Sequence, residues 1–365
     1  MTADFFFNEF YIPLCFSGQV FPLADTGNIT LPAVHILDHR LGTIQHRGEW
    51  EFVRFLTANR VMGANRDLVQ ITKHIQLGKC DIGSCLDLNT VAGSHNVDGM
   101  IKKFYDKCPI LYGILYGQGL FIFFVLLEYF LVSTGISECG VVTDSFIRIM
   151  FGIFALILMK KIHQDKFREQ FVVEIPKSTW LFAIPFFAYL GLQFLYLPIA
   201  ESLTTTYISV FILSCGQQLA TGFFEELASK GLVMSGMLSK WKHTVRGRIC
   251  MVFISGILFG TLHILNVLFN GDIIACLWQS LYASAFGVFL AAIYLHSNSV
   301  VLCMAFHAIW DIIIRIPGHF CENIQEGIIL DFIYLAQDIL ELGVFPLVAI
   351  LICLKYKSIE GVQSL

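Results

Sequence analysis

Residues 206–238, TYISVFILSCGQQLATGFFEELASKGLVMSGML, decide how the chain is read. They are apolar over more than the roughly 20 residues that a membrane crossing requires. Yet the middle of the run holds Glu225-Glu226-Leu-Ala-Ser-Lys230. Two later apolar runs carry polar groups in the same way: Phe259-Gly-Thr-Leu-His263 and His307-Ala-Ile-Trp-Asp311. An ionisable side chain in hydrocarbon is costly, so several at a common depth read as a functional site. Two glutamates, two histidines and an aspartate are also the groups that acid–base hydrolysis uses.

Composition agrees with a membrane protein. Of 365 residues, 56% are hydrophobic and 14% charged, where soluble domains carry about 25% charged residues. Mean hydropathy is +0.69. A net charge of −4 gives no footprint for nucleic acid, and none is expected as a partner. The 11 cysteines are scattered, and Cys215, Cys250, Cys276 and Cys353 fall in apolar runs, where they read as small hydrophobes. Cys80 and Cys85 have no partner pair, which argues against a zinc site there.

The first 109 residues differ in texture. They hold five of the 11 histidines and many charges, His35 to Glu51 being the densest part. The apolar run from Phe5 to Leu23 is interrupted by Asn8 and Glu9, too polar to span a bilayer. This region is expected to be a polar N-terminal unit, followed by a membrane domain over 110–357 and a short tail over 358–365.

About eight spanning helices can be drawn: 110–134, 145–160, 179–199, 206–238, 249–269, 273–295, 299–316 and 330–354. The expected fold is therefore all-α, a polytopic membrane protein. The last helix carries Asp331, Asp338 and Glu341, which are expected in a water-exposed vestibule or outside the bilayer. Lysines and arginines gather before the first helix (Lys102, Lys103, Lys107), after the second (Lys160, Lys161, Lys166, Arg168), after the fourth (Lys240, Lys242, Arg246, Arg248) and in the tail (Lys355, Lys357). Loops 135–144 and 200–205 contain acids and no lysine or arginine. By the positive-inside rule both termini face the cytoplasm. At 1.5 Å per residue, Glu225, Glu226, His263, His307 and Asp311 then fall within about one or two helical turns of one level.

Spacing within each helix is productive as well. Glu226 and Lys230 are four apart, acid before base, and share a face. Lys230 is thus expected to hold the carboxylates. Glu225 points about 100° round from Glu226, in a neighbouring direction. His307 and Asp311 share a face, and Phe259 sits one turn before His263 and is expected to pack beside its ring. Glu128 and Arg148, in the first two helices, are expected to form a structural pair, and His296 to lie at the interface.

The ordered set Glu-Glu with a base four places on, Phe-x-x-x-His, and His-x-x-x-Asn/Asp resembles the motifs of the CAAX-protease and bacteriocin-processing family, which includes the type II CAAX prenyl endopeptidases. The likeness covers residues 179–316 and extends to Gly287-Val-Phe-Leu-Ala-Ala-Ile-Tyr between the second and third motifs. The resemblance implies an intramembrane endopeptidase that cuts near the C-terminus of a prenylated or other hydrophobic peptide. It implies that Glu225 activates the attacking water with His263 as its partner. It also implies that His307 and the residue at 311 face the oxyanion, with Glu226 and Lys230 in support.

Two positions depart from the pattern. The family usually has arginine where Lys230 stands, and lysine cannot form a bidentate carboxylate pair. The prenyl endopeptidases have asparagine where Asp311 stands, and an ionised aspartate only accepts hydrogen bonds. Asp311 is then suited to orient His307, to hold a proton or to favour a metal. If a divalent metal such as zinc binds, Glu225, His263 and His307 are its ligands; the reading favours a metal-free Glu/His mechanism. Rival readings are a transporter or channel with these residues as a proton relay, and a catalytically silent immunity or scaffold member of the family.

Overall fold

The structure, a computed structural model, describes residues 97–135, 140–163, 167–171, 175–203, 208–324 and 327–356. Expectations for the region before residue 97 and for the tail after 356 lie outside the described residues. Helices follow one another in the order α1 (Val97–Lys107), α2 (Pro109–Ser133), α3 (Val141–His163), α4 (Lys177–Phe182), α5 (Ile184–Ile199), α6 (208–241), α7 (Val245–Asn270), α8 (Ile273–Ser297), α9 (Val300–Phe320) and α10 (Ile328–Lys355). A short antiparallel ladder, β1 (Ala200–Leu203) with β2 (Cys321–Ile324), ties the end of α5 to the end of α9, Ala200 opposite Ile324 and Leu203 opposite Cys321.

Local chemistry sets the helix boundaries around the site. Thr244 caps α7, its Oγ1 accepting from the Gly247 N–H at 3.0 Å. Asn270-Gly271-Asp272 turns α7 into α8: Gly271 takes a left-handed φ of 72°, and Asp272 Oδ1 accepts from the Ile274 and Ala275 N–H groups. Asn298, at φ 53°, and the capping Ser299 make the next turn into α9 in the same way. Both connections are tight, so α7, α8 and α9 lie beside one another.

Among the described residues, six helices are long and apolar enough to cross a membrane: α2, α3, α7, α8, α9 and α10. Phe123, Phe146, Ile153 and Ile257 stand exposed on their outer faces, as a hydrocarbon solvent requires. The other two expected spans differ from these six. The segment drawn at 179–199 is divided at Ala183 into α4 and the shorter apolar helix α5. The segment drawn at 206–238 is helical throughout, but Glu225, Glu226 and Lys230 make it more polar, and it is buried from Phe224 to Met237. Neighbouring helices enclose its charges. On α10, Asp331 is exposed, whereas Glu341 is buried and Asp338 accepts from the Tyr282 hydroxyl at 2.8 Å.

α6 packs along α3 on one side and α9 on the other, while α7 packs along α8 and α8 along α10. Small residues allow these approaches. A Cβ on Gly260 would collide with the Ser284 hydroxyl and the Ser280 carbonyl of α8, and one on Gly222 would meet the Met304 carbonyl of α9 at 2.8 Å. Behind the site an aromatic stack fills the core: Tyr189 on Trp310 with ring centres 4.0 Å apart, Trp310 on Phe286 at 4.4 Å and Phe186 on Phe306 at 4.5 Å. It holds α9 in a fixed rotation. Cys276 and Cys353 are buried as expected of small hydrophobes, while Cys215 is half-buried and Cys250 exposed.

Candidate active site

α6 carries Glu225 and Glu226 at adjacent positions, so their side chains leave the helix in neighbouring directions and meet different partners. Glu226 is fully buried. Its Oε1 accepts from His307 Nδ1 at 2.9 Å, and its Oε2 lies 3.4 Å from Lys230 Nζ, within ion-pair reach but without hydrogen-bond geometry. Lys230, equally buried, donates to Ser229 Oγ at 3.3 Å and sits 5.1 Å above the Phe259 ring. A π-helical turn, Leu227–Met234, begins directly after Glu226 and includes Lys230; such turns are common at functional sites.

Glu225 is held from another helix. Arg148 of α3 donates through Nη1 to Glu225 Oε1 at 3.0 Å, and Glu225 Oε2 is buried with no hydrogen bond. That free oxygen faces His307 Nε2 at 3.8 Å. Lys230 thus serves Glu226 alone, and the expectation that it holds both carboxylates is corrected: the 100° offset of adjacent residues carries Glu225 away from it, toward α3.

His307 lies among three carboxylates. A carboxylate accepts, so the His307 Nδ1 proton is directed at Glu226. Its Nε2 lies between Glu225 Oε2 and Asp311 Oδ2, the latter 3.6 Å away. Phe259 and Phe286 present ring edges to the imidazole at 5.6 and 5.8 Å, fixing its plane. Asp311 is anchored in turn through Gln218. With the Gln218 amide nitrogen toward Asp311, it donates to Oδ2 at 3.1 Å while its oxygen accepts from Arg315 Nε at 3.2 Å. The reverse orientation would set oxygen against oxygen and nitrogen against nitrogen.

Each carboxylate around His307 therefore has a cation behind it: Lys230 for Glu226, Arg148 for Glu225, and Arg315, through Gln218, for Asp311. These pairs offset the cost of burying the charges.

His263 ends α7 at the start of a 3-10 turn, Leu262–Asn266. Its ring packs edge-on against Phe259 at 5.2 Å, as the spacing predicts. Nδ1 lies 3.3 Å from the Phe259 carbonyl. A carbonyl only accepts, so Nδ1 carries the proton and Nε2 presents a lone pair. Among the described residues, His263 has no carboxylate within 4 Å, so it stands off from Glu225 by more than direct contact. Asn266, one turn on, donates to Gln279 of α8 at 2.8 Å and fixes this end of the helix.

No three His, Cys, Asp or Glu side chains converge as metal ligands among the described residues. Glu225 Oε1 is bonded to Arg148 and His307 Nδ1 to Glu226, which leaves Glu225 Oε2 and the Nε2 atoms of His307 and His263 as the atoms free to act, and these three side chains do not converge on one point.

From the sequence Arg148 and Glu128 read only as a structural pair. In the structure Arg148 reaches the site, and its Nε lies 2.9 Å from both oxygens of Asp144, one turn earlier on α3. Glu128 lies beside that pair. Gln217 and Arg315 are further additions; Gln217 Nε2 donates to Asp144 Oδ2 at 2.6 Å. Their signals were present: an acid and a base four apart in α3, glutamines two turns before the glutamates in α6, and an arginine four after Asp311. His296 has a bland role, its Nε2 lying 2.9 Å from the Ser178 hydroxyl. Phe259, Phe306 and Trp310 are buried packing residues.

This arrangement supplies a carboxylate oxygen without a partner, an imidazole nitrogen facing it and a second imidazole with a lone pair, all inside an integral, multi-pass membrane protein. No curated protein and no solved structure matches the chain significantly. A family model does match, that of the type II CAAX prenyl endopeptidase Rce1-like proteins, over residues 206–313. The matched segment contains Glu225, Glu226, Lys230, Phe259, His263, His307 and Asp311 together. Over this segment, less than a third of the chain, the protein is similar to the type II CAAX prenyl endopeptidase Rce1-like family.

Proposed function

We propose that the protein is an intramembrane endopeptidase that hydrolyses a peptide bond near the C-terminus of a prenylated, CAAX-type peptide or another hydrophobic one. The observation that carries this is Glu225 Oε2, a buried carboxylate oxygen with no hydrogen bond that faces His307 Nε2 at 3.8 Å. A general base needs such a free oxygen. Glu225 Oε2 takes a proton from water as the water oxygen bonds to the scissile carbonyl carbon. That proton passes to the amine nitrogen when the carbon–nitrogen bond breaks. His263 Nε2 accepts a hydrogen bond from the same water and orients it.

His307, its Nδ1–H committed to Glu226, turns Nε2 toward the developing oxyanion and donates to it when protonated. Asp311 cannot donate while ionised. We assign it to orienting His307 and balancing its charge. The reaction is proposed to run without a metal. Both termini are proposed to be cytoplasmic, with the lipid chain lying between helices and the peptide entering from that side.

The experiment is cleavage of a farnesylated Cys-a-a-X peptide by detergent-purified protein, run beside Glu225→Ala. Wild type is expected to cut and the variant to lose roughly 10²- to 10⁴-fold, the range for a general base. A folded wild type that cuts neither this peptide nor other hydrophobic peptides would end the proposal. Loss of proton flux in vesicles on Glu225→Ala, with no cleavage by either protein, would favour the transporter reading.

A further inference from the structure

Arg148 lies outside the segment that matches the family, on α3, and its side chain enters the site from that helix. Its guanidinium bridges two acids along two different N–H directions. Nε is 2.9 Å from both Asp144 oxygens, and Nη1 is 3.0 Å from Glu225 Oε1. Two further contacts support this arrangement. Gln217 grips Asp144 at 2.6 Å, and the Phe124 ring lies 4.6 Å beneath the guanidinium carbon. Arg148 and Asp144 share a helix at four-residue spacing, so that pair alone would satisfy a merely structural arginine. The bond to Glu225 is additional, and it takes one oxygen and leaves the other.

We infer that Arg148 is a positioning residue for Glu225: by holding Oε1 it fixes the carboxylate rotamer and directs Oε2 into the space shared with His307. The inference rests on the endopeptidase reading above. A carboxylate on a three-bond side chain has several rotamers in which Oε2 would turn away, and reaction rate is steep in such misplacement. Arginine is needed because its planar fork offers two donors at a fixed angle, which a lysine ammonium does not. Asp144 and Gln217 form the support that keeps the fork in place.

The test uses the full chain in detergent with the farnesylated peptide. Arg148→Gln is expected to lower kcat roughly 100-fold, the scale of an ångström-sized misplacement, with KM little changed. Combined with Glu225→Gln, it is expected to add no further loss, because the two residues act as one unit. Arg148→Lys should fall between wild type and Arg148→Gln in kcat. It also carries the test if Arg148→Gln does not fold. Arg148→Gln with wild-type kcat, a rise in KM alone, or a loss that multiplies with that of Glu225→Gln would overturn the inference and leave the endopeptidase reading intact. A wild type that cuts no peptide removes both.

Discussion

Glu226 Oε1 and His307 Nδ1 lie 2.9 Å apart, joining α6 to α9 at a point where both side chains are almost completely buried. This bond orients the imidazole whose other nitrogen meets Glu225 and Asp311. Its partner on the other carboxylate oxygen, Lys230, has no access to water. The second glutamate of the motif is thereby separated in role from the first: it holds, while Glu225 is left with a free oxygen.

Glu226→Ala is therefore expected to cost stability as well as activity. It strands a buried ammonium and frees the His307 ring, and breaking one side of a buried pair costs about 3–5 kcal/mol. Thermal unfolding in detergent should show a large fall in Tm for Glu226→Ala. Removing both charges, as Glu226→Gln with Lys230→Met, should recover part of it. Equal melting of wild type and Glu226→Ala would refute the assignment.

Asp311→Asn should keep the enzyme active. The amide oxygen can still face His307, and the new N–H group can donate where the carboxylate cannot. Asp311→Ala, which removes both functions, should be clearly slower than Asp311→Asn in the same peptide assay. An asparagine variant as inactive as the alanine one would show that the negative charge itself is required.

Chelation should leave cleavage unchanged, because no three His, Cys, Asp or Glu side chains converge as metal ligands among the described residues. The check is activity after dialysis against EDTA and phenanthroline, alongside metal analysis of the purified protein. Activity lost on chelation and restored by zinc would reverse the metal-free assignment.

Gly260→Leu should disable the site without touching any proposed catalytic group. A side chain there must displace Ser280 and Ser284 of α8, forcing α7 outward and carrying Phe259 and His263 with it. Overpacking of this kind costs about 1–3 kcal/mol. A lower Tm together with a fall in kcat is expected. Gly216→Leu, on an open face of α6 where an added Cβ meets nothing within 4 Å, is the control and should behave as wild type.

Much of this was legible from residue order because it is local in origin. The Glu226–Lys230 and His307–Asp311 pairs form at the four-residue spacing that a helix dictates, at 3.4 and 3.6 Å. The Phe259–His263 contact follows from the same rule. Apolar runs longer than the bilayer is thick marked the spanning helices, and six of them qualify by length and hydropathy. The two that do not are a divided segment and the charged α6, where composition alone could not distinguish a lipid-facing helix from one enclosed by its neighbours.

What the sequence by itself determined is thus the all-α membrane architecture, the three motif-bearing helices and the contacts within each of them. Only the tertiary structure decided which cation serves which carboxylate. Arg148 meets Glu225 across 77 residues of chain, and Gln218 links Asp311 to Arg315. It also decided that His307, and not His263, stands in direct contact with the glutamates. The physical reason is geometric. A contact between helices depends on their relative rotation and axial offset, where a shift of one residue turns a side chain by about 100°. Those quantities are fixed by packing, here by the close approach at Gly222 and the aromatic stack on Trp310, and not by the spacing of residues along any single helix.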